Sequence, residues 1–167
     1  MLIRSITALL LCAMPILSLA KNDKIIHLSA EAKLGAYYGL GVQLGLTNIP
    51  GLDTLFLSYG RTWSVFLVHE ELLETYRLGM QKMLGAEKIY GFQAELGYAS
   101  YEGTRRFIGR DQTRSADGFS LAGAFVYQAT SSIGLRGGIE LHYFDPSATY
   151  LPYSLTPVFT LGVNVHF

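Results

Sequence analysis

Apolar and polar residues alternate with a period of two along most of this chain, most clearly over residues 154–167. Phe159, Leu161, Val163, Val165 and Phe167 are separated by Thr160, Gly162, Asn164 and His166. Such alternation gives a strand one apolar and one polar face. Residues 32–46 repeat it over a longer stretch. Ala32, Leu34, Ala36, Tyr38, Leu40, Val42, Leu44 and Leu46 take one face, and Lys33, Gly35, Tyr37, Gly39, Gly41, Gln43 and Gly45 the other. Further strands are predicted at 53–59, 63–69, 72–84, 88–101, 118–129 and 133–144, making eight. Between them, 47–51, 60–61, 85–87 and 130–132 read as turns, and 102–117 and 145–153 as longer polar loops. Residues 21–29 read as a polar lead-in. Over residues 61–84 a helical stripe of Leu72, Leu73, Tyr76, Met80, Met83 and Leu84 competes with the strands. Gly79 weakens a helix there, and strands are expected.

The two faces also differ in volume. Tyr38, Tyr90, Phe92, Tyr98, Phe125, Tyr127 and Phe159 lie on the apolar face, whereas the other is dominated by glycine, alanine, serine and threonine. A soluble ligand-carrying barrel turns its apolar face inward. A small eight-stranded barrel has room inside only for a little filling, so here the small face is expected inside and the bulky one outside. The mid-strand charges Lys33, Arg77, Glu95, Arg136 and Glu140 all share the small face. The sorting fits a lipid-facing exterior, where Arg or Lys at mid-depth costs roughly 2–4 kcal/mol.

Composition narrows the class. Half the residues are apolar and 16% are charged. After the first twenty residues there is no apolar run of the 18–20 residues a membrane helix needs. Residues 1–20 read as a cleaved signal peptide: Arg4 supplies the positive end, residues 6–19 the apolar core, and Ser18-Leu19-Ala20 the small-x-small cleavage site. Cys12 lies within this leader behind Leu11, which is not the small residue a lipidation site wants, so residues 21–167 form a cysteine-free domain. Without Arg4, 12 Lys and Arg remain against 13 Asp and Glu, a net charge of −1. With no basic stripe, no nucleic-acid partner is expected.

The inward charges are the sharpest candidate site. Counting out from a turn centred on Ala86, Arg77 falls opposite Glu95, which predicts a cross-strand ion pair. Arg136 and Glu140 share one inward face four residues apart. Buried charges are usually paired, so this group is expected to neutralise itself and plug the interior. Arg105, Arg106, Arg110 and Arg114 crowd the 102–117 loop and could meet phosphate groups or a surface ligand. Glu102, Asp111 and Asp117 offset most of that charge, which favours a solvated loop.

Enzyme signatures are weak. Residues 118–123 miss the Gly-x-Ser-x-Gly nucleophile elbow, and Gly39, Gly41 and Gly45 miss the dinucleotide fingerprint. His142 and His166 share the inward face near opposite strand ends, about 30 Å apart by strand rise, too far to share a metal. No cofactor and no metal site is expected.

With its leader, its length, its parity and its Val163-x-Val165-x-Phe167 end, the chain resembles the small eight-stranded outer-membrane β-barrels of the OmpA/OmpX type. The resemblance implies an all-β, antiparallel up-and-down transmembrane barrel. It places the protein in the bacterial outer membrane as a monomer with both termini in the periplasm. It further implies that Val163, Val165 and Phe167 are read by the barrel-assembly machinery. Outer-membrane lipid and lipopolysaccharide would surround the barrel, and its loops could meet a host or surface ligand. Members of that type are mostly structural or surface-interaction proteins, which makes a non-enzymatic role the first expectation and a narrow channel an alternative. His27-Leu28-Ser29 resembles the His-x-Ser pair of outer-membrane lipid A deacylases, which carry it on a late strand. A lipid-modifying enzyme is therefore a further alternative.

Overall fold

In the computed structural model, residues 24–66, 69–107 and 110–167 are described; the expected leader, 1–20, lies outside them. Eight strands run in chain order: β1 (Ile26–Leu34), β2 (Tyr38–Thr47), β3 (Thr54–Phe66), β4 (His69–Leu84), β5 (Tyr90–Phe107), β6 (Arg110–Gln128), β7 (Ile133–Tyr143) and β8 (Leu155–His166). Each pairs antiparallel with its neighbour, and β8 pairs with β1 to close the barrel. No helix occurs among the described residues, so the helical alternative for 61–84 is gone.

The expected count of eight is met by a different division of the chain. The expected first strand, 32–46, is two strands joined at residues 35–37, where Gly35 takes a positive φ of 139°. Three linking residues keep even positions outward on both sides, so the alternation runs unbroken through the hairpin. The latter part of the expected lead-in, 26–29, belongs to β1. The expected turn at 60–61 lies inside β3. Gly60 faces the lumen, where a Cβ would press on Lys33 Nζ, and Arg61 is an outward charge 3.7 Å from Glu74. The expected loop 102–117 is mostly the β5–β6 hairpin, paired from Tyr90↔Tyr127 to Phe107↔Arg110.

The exterior is greasy. Leu57, Leu96, Phe119, Leu161 and Phe159 are among many large apolar side chains more than half exposed. Directly paired leucines (Leu44, Leu57, Leu78, Leu96, Leu121 and Leu141) cross β2 to β7. An apolar surface this continuous is what a lipid-facing barrel presents.

The rim that carries the termini is bounded by the β2–β3, β4–β5 and β6–β7 connections. Asp53 ties two of them: its carboxylate accepts from Lys88 Nζ at 2.7 Å and from the Met83 N–H at 2.8 Å, with Lys82 Nζ 3.8 Å away. Partial burial pushes the Asp53 carboxyl up, but these three groups outweigh it and hold it below the ordinary value. A depressed folded-state carboxyl adds stability above the unfolded value, about 3.9, and loses it as pH falls through the folded one. Asp53→Asn should therefore lower the unfolding free energy at pH 7 by up to about 1 kcal/mol, since both lysines are solvated. At pH 2.5 the difference from wild type should shrink toward zero. Denaturant titrations at both pH values check this; a gap that widened in acid would contradict the pairing.

Candidate functional site

The inner wall of the barrel takes shape from its small residues. A Cβ at Gly41 would strike the Glu31 carboxylate, and one at Gly79 would meet the Phe56 ring and Glu95 Cγ. Glycines on β2, β3 and β4 thus clear the volume that charged side chains from other strands fill.

Six charged side chains meet in the middle of the lumen, each at most 3% exposed. Arg77 Nε donates to Glu95 Oε2 at 2.9 Å, and Arg77 Nη2 to Glu140 Oε1 at 2.6 Å, with Glu31 Oε1 3.8 Å away. Lys33 Nζ pairs with Glu140 and lies 3.1 Å from Glu31 Oε1. Arg136 pairs with Glu31 through Nη1 and donates from Nη2 to Glu95 Oε1 at 3.1 Å. Three cations face three anions, so the group is neutral as a whole.

All five predicted charges lie in this network. The predicted register is off by two: Arg77 stands opposite Gly97, and Glu95 opposite Gly79, because the β4–β5 connection is five residues long rather than three. A shift of two keeps both side chains inward, and the long arginine reaches along the wall. The sixth member, Glu31, is new. It lies between the expected lead-in, 21–29, and the expected first strand, 32–46, although it shares the parity of Lys33.

Above the network, toward the rim opposite the termini, the lumen turns apolar. Tyr37, Leu73, Ala99, Tyr101, Phe144, Leu151 and Val158 pack into one buried cluster. The Glu71 carboxylate accepts from the Tyr37 hydroxyl and, at 3.1 Å, from that of Tyr101. Burial and this carboxylate push the Tyr37 hydroxyl up, so it stays a neutral donor. Tyr101 Oη in turn accepts from the Tyr150 N–H at 3.3 Å, pinning the β7–β8 connection across the mouth.

Two of the predicted surface arginines serve that closure. The Arg105 and Arg114 guanidinium carbons lie 4.1 and 4.6 Å from the Tyr150 ring centroid, within cation–π range. Arg105 also donates to the Tyr150 carbonyl at 3.2 Å, and Arg114 to that of Thr149 at 2.7 Å. Arg106 is exposed, 3.6 Å from Asp111; the Arg110 side chain lies outside the described residues. The four arginines thus lie on a paired hairpin, not in a solvated loop, and the three described side chains divide between a clamp and a surface pair.

The opposite mouth, beside the termini, stays open. A cavity of about 460 Å³ there is lined by Asp53, Gln81, Gln128 and His166, among others. Val163 and Val165 face outward on β8, and the Phe167 main chain exchanges hydrogen bonds with Ile26 at 2.8 and 3.1 Å. His166 is not isolated. His27, on the paired position of β1, places Nδ1 2.9 Å from His166 Nε2.

Neither serine arrangement is open to substrate. Ser120 Oγ lies 3.1 Å from His142 Nδ1, and His142 Nε2 lies 3.4 Å from Glu140 Oε2, a chain that imitates a hydrolytic triad. Ser120 and His142 have no exposed surface, Glu140 is 1% exposed, and Arg77 Nη1 reaches Ser120 Oγ at 3.2 Å. His27 and Ser29 point into the lumen, not at the lipid face where an acyl chain would lie.

No family model matches the chain, and no curated protein does. Solved structures do. The N-terminal β-barrel domain of Pseudomonas aeruginosa OprF superposes with a TM-score of 0.61 at 14% identity, covering 88% of this chain and 100% of that one. Neisserial surface protein A gives 0.58 at 12% identity, covering 85% and 97%. Ail of Yersinia pestis gives 0.68 at 10% identity, covering 86% and 97%. The chain has the fold of the small eight-stranded outer-membrane β-barrels.

Proposed function

We propose that this protein is a non-enzymatic, monomeric resident of the bacterial outer membrane. In this reading residues 1–20 are its cleaved leader and both termini face the periplasm. The barrel supports the envelope and presents the β5–β6 hairpin, with the clamped β7–β8 connection, as its outer surface. Lipid and lipopolysaccharide bathe the belt, and Val163, Val165 and Phe167 guide assembly.

The observation that carries the reading is the lumen: a neutral, closely paired ionic network lying under an apolar seal. Conduction needs a wetted path through both. Planar-bilayer recording of the folded protein tests it, and insertion without conductance steps is expected. Steady ohmic steps would replace it with the channel. Lipid A and phospholipid profiles of cells with and without the gene should match; a changed acylation pattern would replace it with the lipid-modifying enzyme.

A further inference from the structure

We propose that His27 and His166 form a binding site for one divalent transition-metal ion of the zinc, nickel or copper class. The site lies inside the terminal rim, across the β1–β8 seam. His27 has no exposed surface, and its ring lies 5.3 Å from that of Phe56, which holds it in place. His166 lines the open cavity, which brings water to the edge of the pair.

The tautomer of His27 follows from its neighbours. Arg136 Nη2 donates to Glu95 Oε1, and Gln43 Nε2 donates to the same oxygen at 2.8 Å. A carboxylate only accepts, so the amide nitrogen of Gln43 must face Glu95. Its Oε1 is then left facing His27 Nε2 at 3.2 Å. His27 Nε2 therefore carries the proton, and Nδ1 presents its lone pair to His166. In the metal-free protein, His166 Nε2–H donates to that lone pair. When His166 shifts its proton to Nδ1, two imidazole lone pairs face the gap between the rings, and a small rotation of the rings would direct both at one ion. A histidine whose second nitrogen donates to a fixed acceptor is the arrangement that orients metal ligands.

The spacing is close to what an ion needs. Zinc–nitrogen bonds of 2.0–2.1 Å in tetrahedral geometry put the nitrogens about 3.3 Å apart, a few tenths of an ångström beyond the observed separation. Among the described residues no group of three or more His, Cys, Asp or Glu side chains could hold a metal, so the remaining ligands would be water. The wall supplies groups to hold it. Ser29 and Asn164 form the next inward-facing pair on the same two strands. Both are fully buried, and neither Ser29 Oγ nor either polar atom of the Asn164 side chain has a hydrogen-bond partner. Imidazole pairs with water suit borderline divalent metals.

The test uses the untagged mature chain, residues 21–167, folded in detergent. Calorimetric titration with Zn²⁺ should show one equivalent bound. His27→Gln and His166→Gln should each weaken binding at least tenfold, and His142→Gln should leave it intact. Copper(II) EPR on the unsubstituted protein should show coupling to two imidazole nitrogens, a readout that needs no variant to fold. Absence of saturable zinc binding, equal affinity after both replacements, or a copper spectrum with fewer than two imidazole nitrogens would overturn the site.

Discussion

Replacing Arg77 with methionine is expected to cost about 3–5 kcal/mol of unfolding free energy, the range for breaking one partner out of a buried ion network. Arg77 touches Glu95, Glu140, Ser58 and Ser120, and its removal leaves three carboxylates facing two cations in a wall with almost no solvent contact. The loss should fall when the charge is rebalanced. In Arg77→Met/Glu140→Gln, Lys33 keeps Glu31, and Arg136 keeps both Glu31 and Glu95. The double variant should therefore be less destabilised than the sum of the single changes, with a coupling of about 0.5–3 kcal/mol. The single tryptophan, Trp63, sits edge-on to Tyr38 at 5.3 Å and reports unfolding by fluorescence. A single-variant loss below about 1 kcal/mol would mean that water screens the network, and the sealed-lumen reading would go with it.

Parity was the most legible property of this sequence, and boundaries the least. Alternation assigns a face without assigning a strand, because a hairpin with three linking residues leaves the count of odd and even positions undisturbed. That is how the last residues of β1 read as one strand with β2. Ile26, Leu28 and Ala30 do alternate with His27, Ser29 and Glu31, but three polar residues so close to the start resemble a leader junction more than a barrel wall. The glycine–arginine pair at 60–61 misled for the opposite reason. A turn signal and a lumen spacer beside a membrane-edge charge are the same letters, and only the position of Lys33 across the barrel separates them.

The same limit governed the candidate site. Membership of Lys33, Arg77, Glu95, Arg136 and Glu140 on one face needs only parity. Their partners depend on register and on contacts across the lumen, where Lys33 meets Glu140 and Arg136 meets Glu31 over more than one hundred residues of sequence. Glu31 and His27 could have been found by extending the alternation six residues toward the start. The β5–β6 extension could not, because Arg105, Arg106, Arg110 and Arg114 are as compatible with a solvated loop as with a paired edge until Tyr150 is placed between two of them.

Leu57→Arg is expected to be the most damaging single change on the outer surface, at about 2–4 kcal/mol. Leu57 is 66% exposed, and in water a charge there would be harmless. It stands four residues from Asp53 and four from Arg61, the charges that bound the apolar stretch around β3. The eight residue steps between them span about 26 Å along the strand, or roughly 20 Å along the membrane normal at a tilt near 40°, so Leu57 lies near mid-depth. Arg61→Leu, at the margin, removes only a solvated pair with Glu74 and should shift stability by less than about 1 kcal/mol. The contrast depends on depth, not on charge alone. Folding of both variants into lipid vesicles, followed by denaturant titration, measures it. If Leu57→Arg folds as well and as stably as the unsubstituted chain, the leucine belt faces water. The ions inside the barrel would then no longer be explained as charges sheltered from lipid.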